Sequence, residues 1–362
     1  MTEFLAGFEC GVAGFEMSGL GTSSLISTGA RSGTYCARIN PTTSGDGSLG
    51  PVGPSGGALA FTLPIAVRFG FKVDTLPASL SEEIYTLDSQ LRINSNGTLA
   101  LYDGGTSLKA TGTTVLTPGT WYTIEHFCPA GVSTMKYRVY PAGQTPGADE
   151  FTYAGNFTLG IIQIGKVTNR NNQTVDYKYD DVRIKDGVSN YLGDGKVVRI
   201  PGANPAVLAP TYNQWTKTGG TLDVTWNTIP LVNNGNGAST NVNADQRQTI
   251  RHNPTGLIGT INACATRSYG RNSQGTMNLC HITAGNFFDD GIPQNDAGVD
   301  RFSTGVWATP AASVSELDAS EVGVHRPAGT TNLTNVWQTY LEVDYLPPTA
   351  SVAGKIQARR KR

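Results

Sequence analysis

The sequence predicts an all-β protein built as two β-sandwich (jelly-roll-like) domains in series. Three observations predict it. First, the 362 residues include 44 glycines and 19 prolines but only 15% charged residues. That is the composition of short strands joined by many turns, not of long helices. Second, Ile65, Val67, Phe69, Phe71 and Val73 occupy every second position of one run, and a period of two over nine residues belongs to a strand with one face in a core. Third, VDYKYDDVRIKDGVSNYLGD, Val175 to Asp194, reads as the closing strand of a sandwich, although the Asp180–Asp181 pair interrupts its alternation. About 170 residues of the same strand-and-turn texture follow it, enough for a second core of ordinary domain size.

The elements follow in order. FLAGFECGVAGFE, from Phe4, is a strand broken by glycines, and ARSGTYCARI sets Tyr35, Ala37 and Ile39 on one face. Asn40 to Gly57, rich in Gly, Pro, Ser and Asp, is a loop. After the Ile65–Val73 strand comes a meander of EIYTLDS, QLRINSNGTLALYDG and TTVLTPGTWYTIEHFC. Asn96-Gly97 predicts a type I′ hairpin turn, which takes two left-handed residues. Pro118-Gly119 predicts a type II turn leading into Trp121. MKYRVY and FTLGIIQIGKVT add further strands, and the boundary falls near YLGDGKVVRIPGANP. The expected domains are residues 1–190 and 191–350, with a basic tail over 351–362. The second unit holds TLDVTWNTI, the polar LVNNGNGASTNVNADQ, IGTINACATRSYGRN and a final strand, VWQTYLEVDYL.

Charge and cysteine content exclude several classes. The net charge is -1, but Lys355, Arg359, Arg360, Lys361 and Arg362 stand together without an acid. Removing those five from the 27 basic residues leaves 22 against 28 acidic ones. A mildly acidic body does not attract nucleic acid by its overall field, so any acidic or nucleic-acid contact is expected through the tail. Cys10, Cys36, Cys128, Cys264 and Cys280 form no CxxC pair and no zinc spacing, and an odd number of scattered thiols predicts a reducing compartment rather than a disulfide scaffold. No membrane span or secretory signal is expected.

Residues able to carry chemistry are few. Tyr85, Tyr102 and Trp121 are the candidate ligand-binding aromatics, since flat rings stack on sugars. Asp103, Asp180 and Asp181, with Asp88, are candidate calcium ligands on a sandwich rim, because calcium takes six to eight oxygens. A glycosidase needs two carboxylates across a cleft. Glu342 and Asp344, at i and i+2 on one strand face, are the pair that meets the spacing. Asp289-Asp290 reads as a solvated pair. GxSxG, HExxH and phosphate-loop motifs are absent, and the expectation is that the chain is not an enzyme.

FEMSGL, GARSGTYCARI with AVRFGFKV, and YKYDDVRIKDG, followed by YLGDGKVVRIPGANPAVLAP with Trp215, resemble tailed-bacteriophage virion proteins that carry an N-terminal concanavalin- or laminin-G-like domain. The resemblance covers nearly the whole chain and rests on the order of short motifs. It implies a non-enzymatic structural subunit of the tail, baseplate or capsid surface, made in the host bacterial cytoplasm and located in the virion. Its implied partners are other virion proteins and further copies of itself as a homo-oligomer. The alternative is a carbohydrate-binding module for host-surface attachment, with a glycan hydrolase behind it.

Overall fold

The computed structural model describes residues 2–9, 17–21, 23–40, 47–51, 59–87, 89–103, 107–131, 134–155, 160–166, 173–203, 208–218, 237–240, 244–272, 277–289, 301–329 and 334–348. Cys10, Asp88, Asp290, most of the Asn40 to Gly57 loop, most of LVNNGNGASTNVNADQ and the basic tail lie outside these. The chain is all-β and forms two sandwiches in series. Among the described residues no helix is long and apolar enough to cross a membrane.

The first sandwich stacks an eight-stranded sheet on a seven-stranded one. At the centre of the larger sheet, Ile65–Thr75 lies between Trp121–Cys128 and Asp176–Asp186, antiparallel to both. The alternation explains the packing. Phe69 and Phe71 point inward against Tyr177, Tyr179 and Tyr85, with ring centroids 5.3–6.0 Å apart. These rings join Leu91, Leu99, Ile164 and Ile184 in one core. Arg68 and Lys72, at the intervening positions, face the other way.

The turns differ in one respect from their expected chemistry. Pro118-Gly119 closes a turn with Gly119 at φ 82° and a bond from the Thr120 N–H to the Thr117 carbonyl, the type II geometry. At Asn96-Gly97, however, only Gly97 is left-handed, at φ 83°. The Gly97 N–H donates to the Asn94 carbonyl and the Asn94 N–H to the Thr98 carbonyl. This is a type I turn with glycine at its fourth position, not the expected type I′ turn. Asn96 Oδ1 accepts from the Thr98 N–H at 3.0 Å, an alternative use for the side chain that needs no left-handed asparagine.

The second sandwich stacks a six-stranded sheet, centred on Thr260–Asn272 and Thr334–Leu346, on a four-stranded sheet in the order Gln246–Arg251, Glu321–Arg326, Asn278–Thr283 and Asn286–Asp289. Its core gathers Ile250, Leu279, Val322, Val324, Val336, Leu341 and Trp307. Cys36, Cys128, Cys264 and Cys280 are buried free thiols. Cys264 and Cys280 fall in different sheets.

The two bodies meet over a buried ionic seam. Arg68 and Arg183 leave the outer face of the eight-stranded sheet and both bind Asp344 of the last strand: Arg68 at 2.7 and 3.1 Å, Arg183 at 3.0 Å. One register step away, Glu342 accepts from Arg267 at 2.8 Å and from the Gly7 N–H at 2.9 Å. Leu5, Val197, Ala263 and Ala265 supply the apolar part of the junction.

Candidate functional site

The strand ends of the second sandwich build a cavity of about 410 Å³. One wall is the hairpin Asn278–Thr283 and Asn286–Asp289, whose two-residue loop is Ala284-Gly285. Both loop residues are left-handed, at φ 49° and 75°, so this is where the chain places the type I′ geometry. Alanine is poorly suited to it, because its Cβ crowds the following carbonyl. Ala284→Asn is therefore expected to raise stability by about 1 kcal/mol, read as a higher midpoint in urea.

The hairpin register pairs His281 with Phe288 and Thr283 with Asn286, and all four line the cavity. A stack of three rings runs from the core to the surface. Trp307, anchored by its indole N–H on Thr266 Oγ1 at 3.0 Å, lies 4.1 Å from His281 with ring planes 7° apart. His281 in turn lies 4.8 Å from Phe288, 13° from parallel. Trp307 is buried, whereas Phe288 is 43% exposed. The opposite wall is the short helix Val314–Asp318, capped by Ser313 Oγ accepting the Glu316 N–H. Glu316 lines the cavity, its Oε1 accepting from Thr283 Oγ1 and its Oε2 from the Ala312 N–H, both at 2.9 Å. Asp289 sits at the rim but turns its carboxylate to His325 Nδ1 at 2.6 Å and Asn278 Nδ2 at 3.1 Å.

This arrangement offers an exposed ring backed by two others, edged by a carboxylate, an amide and hydroxyls. It suits a ligand with one apolar face and a rim of hydroxyl groups. The sequence reading missed it. Phe288 was one of two adjacent phenylalanines in NFFDD, and only alternation within the hairpin sends Phe287 to Tyr212 and His325 on one face and Phe288 to His281 on the other.

The residues singled out from sequence take other places. Tyr85 is a core residue, wholly buried, with its hydroxyl 3.0 Å from His126 Nδ1. A ligand face there is excluded because the ring fills the space between the sheets. Tyr102 lies under the Arg92 guanidinium, 4.0 Å from its centroid. Trp121, in the other sheet, donates its indole N–H to the Gly29 carbonyl at 3.2 Å. The structure does not bring the three together into one face.

The calcium set is likewise separated. Asp103 follows the Thr98–Tyr102 strand and pairs with Lys109 at 2.9 Å. Asp180 and Asp181 form a bulge in the closing strand, Asp181 at φ 53°. There Asp180 Oδ2 accepts the N–H groups of Arg31 and Ser32, at 2.8 and 3.1 Å. Asp181 holds the Arg31 guanidinium at 2.8 Å and the Val197 N–H at 2.6 Å. These carboxylates fasten the first sandwich to the segment leading into the second, leaving their lone pairs to protein donors. Among the described residues no group of three or more His, Cys, Asp or Glu side chains is placed to hold a metal.

Glu342 and Asp344 do share a face, but it is the face buried in the seam, where arginines occupy both carboxylates. Other acids there respond to the same surroundings. Burial pushes Glu9 up to about 7, with Glu342 and Asp181 adding like charge. Burial also raises Asp180 and Glu125. For Asp194 burial works upward, yet the Arg31 guanidinium and the Thr123 hydroxyl hold it below the usual carboxylate range.

No family model and no curated protein matches the chain. Solved structures share the fold. A cellulose-induced protein, Cip1, aligns over 54% of this chain and 100% of its own at 16% identity and TM-score 0.40. The catalytic domain of a glycoside hydrolase family 131 protein from Coprinopsis cinerea aligns over 46% and 77% at 16% and 0.35. The exoplasmic/lumenal domain of VIP36, bound to Ca2+ and Man3GlcNAc, aligns over 48% and 85% at 11% and 0.35. At these identities the likeness extends to the fold alone.

The expected role as a non-enzymatic structural subunit of a tailed phage particle is corrected here. None of the three solved structures above is named as a phage structural subunit. A particle subunit assembles through sheet edges and large flat faces. Part of the outer face of the eight-stranded sheet, around Arg68 and Arg183, is instead closed by the protein's own second sandwich.

Proposed function

We propose that the chain is a non-catalytic, carbohydrate-binding protein that engages a surface glycan through the cavity of its second sandwich. The observation that carries this reading is the Phe288–His281–Trp307 stack, which holds one phenylalanine face open to solvent beside Glu316, Asn286 and Thr283. A pyranose ring laid on Phe288 covers that apolar face while its hydroxyls meet the acceptors around it. Burial of Asp344 and Glu342 under arginines supports binding rather than cleavage, since neither reaches a ligand.

A glycan array followed by titration calorimetry tests the proposal. Phe288→Ala is expected to weaken binding about 10- to 100-fold, the equivalent of about 1.5–3 kcal/mol for one buried aromatic side chain, with the melting transition unchanged. The bound polysaccharide should gain no reducing ends on incubation. Silence across the array, or full affinity in Phe288→Ala, would refute the site.

A further inference from the structure

We propose that this cavity selects neutral, hydroxyl-rich oligosaccharides and rejects acidic ones such as uronic-acid, sialylated or sulfated glycans. The inference rests on the carbohydrate-binding reading of the same site and adds the chemical class of its ligand.

Two features of the lining carry it. Among the described residues that line the cavity none is lysine or arginine, while Glu316 stands on its wall. An acidic sugar would bring a further negative charge beside Glu316 and near Asp289, with no lysine or arginine among the described lining residues to offset it. Like-charge juxtaposition in a partly enclosed site disfavours binding strongly and works as a rejection device.

Donor and acceptor chemistry points the same way. A carboxylate offers about four lone-pair positions, and Glu316 uses one on Thr283 Oγ1 and one on the Ala312 N–H. Those two bonds fix its orientation and leave acceptor capacity toward the cavity. Asn286 spends one of its two amide N–H groups on the Ala284 carbonyl at 3.3 Å, and its oxygen stays available to accept. The site therefore offers more acceptors than donors and favours a ligand rich in O–H donors. Neutral sugars supply them at nearly every ring carbon, whereas a carboxylate or sulfate group supplies acceptors only. The aromatic face adds to the discrimination, because the negative face of the Phe288 ring favours C–H groups and repels anions.

An arginine from the strand Gln246–Arg251 packs on the other side of this hairpin. Arg247 lies 3.9 Å over Phe287, whose ring faces away from the cavity. Alternation along Asn286–Asp289 thus keeps the guanidinium off the Phe288 face.

Calorimetry on the full chain decides the matter, with neutral gluco- and manno-oligosaccharides set against oligogalacturonate and sialyllactose. A neutral oligosaccharide is expected to bind at least about tenfold more tightly than either acidic probe at low salt. Glu316→Gln keeps an oxygen for the Ala312 N–H and removes the charge, and should narrow that gap to about threefold or less. Acidic probes binding as tightly as neutral ones, with Phe288→Ala abolishing both, would overturn the selectivity and leave the site standing. An unchanged gap in Glu316→Gln would overturn the charge mechanism. If no probe of either class binds, the underlying reading falls with it.

Discussion

Replacing Asp344 with alanine is expected to cost about 3–5 kcal/mol of stability, because it strands the buried Arg68 guanidinium and takes from Arg183 one of its two acids, the other being Glu3. Asp344 and Arg68 are both at 0% exposure, and Arg183 is nearly as enclosed. An intact buried pair contributes little net stability, since desolvating the charges offsets most of their attraction. Removing one member leaves the rest uncompensated, and here a single carboxylate serves two arginines on different strands. Asp245→Ala is the control. That residue also sits in ion pairs, with Arg247 and His325, but is 52% exposed, so its loss should cost about 1 kcal/mol or less. Urea titrations of both variants provide the comparison. An Asp344→Ala cost under about 1 kcal/mol would mean that water reaches the seam. The triple variant Arg68→Met, Arg183→Met and Asp344→Leu should recover much of the loss, by removing the stranded charges instead of repairing them.

The second large effect is in acid. His126 lies between the sheets, stacked 4.2 Å from Tyr137 with planes 7° apart, its Nδ1 facing the Tyr85 hydroxyl. Burial pushes its imidazole down to about 3, from an ordinary 6.5. Below pH 6.5 the unfolded chain takes up a proton that the folded one refuses, so stability falls as pH falls, by about 1.4 kcal/mol per unit. The loss ends as the folded value near 3 is passed, at a total of about 5 kcal/mol. Glu9 acts in the opposite sense. Its folded value near 7 against an ordinary 4.5 means that stability is lost as pH rises through that window and is constant above it. The raised Asp180 and Glu125 add to the same side.

The informative quantity is therefore the difference between wild type and His126→Phe. That gap should shift by about 1.4 kcal/mol per pH unit from 6 to 4, whatever the variant's absolute stability. A pH-independent gap would show that the imidazole is charged or solvated in the folded protein.

How much was legible in the sequence depends on the range of the interaction. The Ile65–Val73 alternation and the Pro118-Gly119 turn are local and were readable, because period and turn chemistry act within a few residues. So was the disturbance at Asp180-Asp181, where two like residues break the period and the strand bulges. Its purpose was not readable. The partners that make it a fastening, Arg31 and Val197, lie 150 and 16 positions from Asp181, and nothing in the spacing distinguishes a carboxylate awaiting calcium from one awaiting an arginine. The pair Glu342 and Asp344 teaches the same lesson. Shared facing followed from the period of two, whereas burial against Arg68 depended on a residue 276 positions away. The candidate site was least visible of all. Its ring stack joins a hairpin and the end of another strand, a helix of five residues forms the opposite wall, and the turn that aims it carries alanine where asparagine would have announced it.

The N-terminal residues touch both halves of the molecule: Glu3–Ala6 pairs with Asp176–Asp186, and the adjoining Gly7 reaches Glu342. A ribosome releases the first sandwich well before it makes the strand that holds Glu342 and Asp344. At about 5–20 residues per second the wait is on the order of ten seconds or more. Through that interval Arg68 waits for its acid while Arg183 already holds Glu3, so the newborn first half, with 13 basic and 16 acidic residues over positions 1–190, exposes one unmatched guanidinium on a mildly acidic body.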